Sequence, residues 1–170
     1  MTSIVFLIKS LIRNREVLLN LLAGASKNAA LWKPDSTQWC MLEVLCHLID
    51  EEKDDFRERL KKTLENPEIP FMPIDPLAWV MERNYIGQDF DKKIKEFLHE
   101  RDKSIYWLQS LYSPNWKNST MHPTAGIMTA EKLFVNWVAH DYHHIRQIVR
   151  LKYGYLKKTS GLDLSYAGDW

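Results

Sequence analysis

"VAHDYHHIRQIVRL", residues 138–151, sets three histidines and an aspartate within five positions of an otherwise apolar run. Each residue of a helix turns by about 100°. Leu133, Trp137, His140, His144, Ile148 and Leu151 therefore share one narrow stripe. That stripe must be buried against other elements. His143 turns toward the flank. The period is helical, and nothing in this run alternates as a strand would.

Working outward, three more segments carry the same period. Residues 3–22 align Ile4, Ile8, Leu11, Leu18 and Leu22. Residues 36–64 begin at Ser36 or Thr37, both good caps, and stop before Asn66-Pro67. Residues 89–112 align Phe90, Ile94, Phe97, Ile105 and Leu108. The helix containing the opening stretch starts at the cap Thr129 and runs to about residue 153, with Gly154 offered as its end. Between the second and third helices lies a proline-rich crossover. In it Asp75-Pro76 predicts a short helix over 76–84. Residues 113–126 read as loop, and the apolar tail (Leu162, Leu164, Tyr166, Trp170) is expected to pack on the helices. The expectation is an all-α, single-domain four-helix bundle over 1–170, with a long crossover between its second and third helices.

Composition places few demands beyond this. The chain has 170 residues, 45% hydrophobic and 26% charged, with a formal net charge of +1. Nothing marks a nucleic-acid partner. The N-terminal apolar segment is broken by Lys9, Arg13, Arg15 and Glu16, so neither a signal peptide nor a membrane span is expected. Cys40 and Cys46 read as small buried thiols in a reducing compartment, and the expected location is cytoplasmic.

Two readings compete for His140 and His144. Each could be a core histidine, but burying an unpartnered imidazole costs about 1–3 kcal/mol. Four apart on one face, they are spaced so that two ring nitrogens can meet one metal ion. The zincin helix, with Asp141 in place of glutamate, fits poorly. It needs a downstream ligand, and only Asp163 and Asp169 follow. An upstream third ligand comes from His47, His99 or His122. His47 lies at the edge of the second helix's apolar stripe beside Val44, with Glu51 one turn on.

The stretches WCMLEVLCHLIDEE and WVAHDYHHIRQI, with the aromatic crossover IDPLAWVMERNY, resemble the DinB-like superfamily across essentially the whole chain. The resemblance implies a divalent transition metal, zinc or nickel first, held by His47, His140 and His144. It also implies a thiol-dependent transferase or related hydrolase acting on a small molecule, with a low-molecular-weight thiol as possible co-substrate, and a homodimer. The alternative is a non-catalytic bundle that binds metal or a small ligand and acts through association. Three further residues draw attention. Glu51 shares a face with His47 and reads either as an acid/base or as a solvated edge carboxylate. Asp141 reads as supporting the site or as exposed. Arg101 falls inside an apolar stripe, where an unpaired charge is costly. It is expected to bind a substrate carboxylate or, alternatively, to form an internal ion pair with Glu51 or a neighbouring acid.

Overall fold

The computed structural model describes residues 3–168. Four helical columns form the bundle: α1 (Ile4–Leu22), α3 (Met41–Asp50) continued by α4 (Glu58–Glu65), α6 (Phe90–Ser110) and α7 (Ala130–Ser160). A short α2 (Lys27–Leu31), capped by Ser26, bridges the first two columns, and α5 (Pro76–Glu82) sits in the crossover. Asp75 accepts from the backbone N–H groups of Leu77 and Ala78, as its position before Pro76 leads one to expect.

Caps explain most boundaries. Asp89 accepts from Lys92 N and Thr129 from Lys132 N, fixing the starts of α6 and α7. The second column starts later than Ser36 or Thr37. Asp35 takes the Thr37 amide and hydroxyl into a turn, while the Glu43 carboxylate accepts the Cys40 N–H at 2.8 Å. The helix therefore begins at Met41. Cys40 and Cys46 are buried free thiols, and burial pushes them up to about 11 and about 12.

Three expectations are corrected. Residues 113–126 are not all loop: β1 (Ser119–His122) pairs antiparallel with β2 (Gly126–Thr129), Gly126 taking φ 71° after a three-residue turn. Helix α7 runs through Gly154 and ends at Gly161, whose φ is 66°. The tail packs only in part: Leu164 is half-buried, Leu162 and Tyr166 are exposed, and Trp170 lies outside the described residues.

Gly154 has another task. A Cβ there would stand 2.7 Å from the Trp32 ring, itself leaning on Tyr155. Alanine inside a helix normally gains about 0.5–1 kcal/mol over glycine. Here Gly154→Ala should instead destabilise, by roughly 1 kcal/mol as the overpacking outweighs that gain. In a Trp32→Leu background the same change should stabilise, which a double-mutant cycle by urea denaturation checks.

Between α3 and α4, residues Glu51–Arg57 are π-helical. Above and below this level the core is apolar. One cluster joins Leu7, Leu11, Leu60, Leu108, Phe134 and Trp137; the other joins Leu18, Leu45, Leu48, Phe97, Ile148 and Leu151. The layer between them is polar, and it holds the histidines.

Candidate metal centre

His47 projects from the last turns of α3, and His140 and His144 from successive turns of α7. Packing α3 against α7 brings their Nε2 atoms together. His140 Nε2 lies 3.3 Å from His47 Nε2 and 3.1 Å from His144 Nε2. The three ligand atoms lie within 4.8 Å of one another.

One outer ring nitrogen, that of His144, is anchored by a hydrogen bond. His144 Nδ1–H donates to Gln147 Oε1 at 2.7 Å, which leaves its Nε2 as a lone pair. His47 Nδ1 is buried without a hydrogen-bond partner among the described residues, and the Glu51 carboxylate faces it at 4.0 Å. Three converging Nε2 atoms cannot satisfy one another, because a single N–H can serve its neighbours only by sharing. The donor set suits an ion. Nitrogens about 2.0–2.1 Å from zinc at tetrahedral angles stand roughly 3.3–3.4 Å apart, close to the two contacts seen here. Imidazole suits zinc, nickel, iron and copper alike.

Burial dominates the electrostatics. It lowers His47 to about 3 and His140 to about 2, with the neighbouring imidazoles adding to both. Burial also lowers His144, to about 4, against the opposing pull of Gln147. All three are therefore neutral near pH 7, the form a ligand needs. Their depressed folded values have a further consequence. The unfolded chain takes up protons near 6.5, whereas the folded chain resists until about 4 and below. The metal-free protein should thus hold this stability above pH 6.5 and lose it as pH falls toward 4, by up to about 1.4 kcal/mol per unit per histidine. Chemical denaturation at stepped pH measures it, and the slope should shrink in His140→Phe.

Aromatic rings wall the cluster. Trp39 stands 4.9 Å from the His47 ring, and Phe56 5.0 Å from His140. His99 is exposed on α6. His122 is in β1 against Arg59, and His143 is exposed beside His144. None of these three joins the cluster. Asp163 is exposed in the tail and engaged with Ser165, and Asp169 lies outside the described residues.

Arg101 is placed differently from the substrate contact expected of it. It is 1% exposed, and all five of its N–H groups face acceptors. Nη1 and Nη2 bind Asp141 at 2.7 and 2.8 Å, Nε and Nη2 bind Glu52 at 3.0 and 2.9 Å, and Nη1 also reaches Leu11 O. Asn14 donates to Asp141, and Trp137 Nε1 donates to Glu52. The internal ion pair is therefore realised, with Glu52 and Asp141 rather than Glu51. Asp141 is fully buried, so it is neither exposed nor free to hold a water as in a zincin helix. Glu51 is buried too, not a solvated edge. Burial, with Asp55 close by, pushes its carboxyl well above the usual range.

Sequence reasoning missed Gln147 and Asn14. Gln147 stands three residues past His144, within reach on a helix. Asn14 interrupts the stripe of Leu11 and Leu18, a signal equal to that of Arg101.

The fold and site are those of a four-helix bundle in which three histidines from two facing helices converge. The chain belongs to the DinB superfamily, whose family model matches residues 10–148. Among solved structures, it resembles YfiT from Bacillus subtilis, described as a probable metal-dependent hydrolase with an unusual four-helix bundle topology. The TM-score is 0.80 at 20% sequence identity, covering 96% of this chain and 92% of that one. At that identity the likeness speaks for the shared fold. No curated protein sequence matches the chain. Among the described residues no helix is long and apolar enough to cross a membrane.

Proposed function

We propose that the protein is a divalent-metal-dependent enzyme acting on a small molecule, a hydrolase first, with His47, His140 and His144 as ligands to zinc or nickel. The observation that carries this is the convergence of three neutral Nε2 atoms, with the His144 tautomer set by Gln147. When bound, such an ion supplies Lewis-acid chemistry, acidifying a water or a thiol that reaches it. A thiol-dependent transfer, as the resemblance of the sequence implies, is the neighbouring reading.

The chain's own residues have separate tasks. Gln147 holds the His144 ring. Glu51 faces His47 Nδ1 at 4.0 Å without a hydrogen bond to it. Trp39 and Phe56 pack their rings against His47 and His140. Three protein ligands leave room for a reactant, as catalytic rather than structural sites do.

The test begins with elemental analysis of protein prepared without chelator or a histidine tag. About one equivalent of zinc or nickel per chain is expected, with thermal stabilisation that rises with free metal. Loaded protein is then assayed against ester and amide test substrates, and against an electrophile with and without a low-molecular-weight thiol. Well under half an equivalent, with no stabilisation by either ion, overturns the reading. Full loading with no turnover in any arm leaves a metal-holding bundle that acts through association.

A further inference from the structure

Beside the histidine cluster lies a cleft of about 450 Å³ whose lining includes Trp39, His143, Arg146, Gln147, Arg150 and Leu151. Three of these residues tie it to the cluster. Trp39 packs on His47, Gln147 holds His144, and the His143 ring stands 5.1 Å from that of His144. The cleft and the candidate metal centre share a wall.

Its charge is one-sided. Arg146 and Arg150 stand four apart on α7, so their side chains leave the helix as neighbours. Like charges at that spacing repel, and a helix normally relieves this with an acid nearby. Arg15, Arg57, Arg59, Arg83 and Arg101 each hold a carboxylate within 4 Å. Arg146 and Arg150, like the exposed Arg13, hold none among the described residues, but these two stand together at a cleft that no carboxylate lines. Overall charge does not account for this, since the chain carries only +1. Two unpaired guanidiniums side by side match a doubly charged group, whether one phosphate or two carboxylates. Trp39 and Leu151 add an apolar wall, on which the body of a small ligand can lie.

We infer that Arg146 and Arg150 form the anion-binding subsite of this centre, and that the small-molecule substrate carries a dianionic group, phosphate or dicarboxylate, joined to an apolar body. The inference rests on reading the three histidines as the reactive end of the same site. The dianion is held at the arginines, with the remainder of the molecule lying along Trp39 toward the histidines. His143 contributes one further N–H donor at the cleft rim.

The experiment uses zinc-loaded and metal-free protein, wild type and Arg146→Gln/Arg150→Gln. The probes are inorganic phosphate, phenyl phosphate and isophthalate, titrated by calorimetry. Both arginines are exposed, so the double variant should fold and retain the wild-type metal content. Wild type should bind phenyl phosphate or isophthalate more tightly than inorganic phosphate. The stronger of the first two tells phosphate from dicarboxylate. The double variant should lose at least about tenfold in affinity, since both charge-assisted contacts to the anion are removed. The loss should persist in metal-free protein, and wild-type binding should weaken with added salt. Equal binding by wild type and variant, or no binding to wild type, overturns the subsite without touching the metal reading. Failure of the metal titration alongside arginine-dependent binding overturns the metal reading and leaves the anion subsite in place.

Discussion

His47→Ala should weaken zinc or nickel binding by at least about tenfold, a loss of about 1.4 kcal/mol or more. His144→Ala should do the same to a comparable degree. Either change leaves two imidazoles, a weak chelate, where three now converge with Nε2 contacts of 3.3 and 3.1 Å. His143→Ala, His99→Ala and His122→Ala should stay within a few-fold of wild type, because none of those rings joins the cluster. Metal titration follows a check by circular dichroism that each metal-free variant keeps its helices. If His47→Ala binds as wild type while Asp163→Ala loses the ion, the ligand set is wrong. The exposed tail would then have to close over α7, which its engagement with Ser165 opposes.

Arg101→Leu should be the most destabilising single change, costing about 3–5 kcal/mol. It strands two carboxylates, Glu52 at 1% and Asp141 at 0% exposure, with no compensating charge. A melting-temperature drop on the order of 10 °C follows for a chain of this size. The cost comes from the orphaned acids rather than from losing an attraction. Replacing Arg101, Glu52 and Asp141 together by apolar residues of similar volume should therefore recover much of the stability. A variant that melts like wild type but binds small anions poorly would return Arg101 to the role of substrate contact.

The bundle was legible in the sequence because each column needs one apolar stripe, and Asp89 and Thr129 announce two starts by residue type. The hairpin was not. Each of its strands has four residues and buries one side chain, Thr120 and Met128, so no alternation can be counted. Gly154 misled for a definite reason: it makes room for Trp32, a partner more than a hundred residues away. The pair His140 and His144 could be read because both belong to one helix. Choosing His47 over His99 and His122 on residues alone could not be done from one element, since α3 and α7 meet only in the fold. The same holds for Arg101, whose acceptors come from α1, the π-helical segment and α7. The sequence marks such a charge as needing partners without saying which acids supply them.

The π-helical stretch Glu51–Arg57 has a consequence for chain length. A π turn closes its hydrogen bonds one residue later than an α turn. The column therefore carries one residue more between His47 and Leu60 than a regular helix joining the same two ends. That surplus lets a run spelled EEKDDFR turn Glu52 inward to Arg101 and Trp137 while Phe56 lies against His140. A relative whose second column is regular throughout has to align with a one-residue gap here. In such a relative, the acids that follow the histidine would meet different partners.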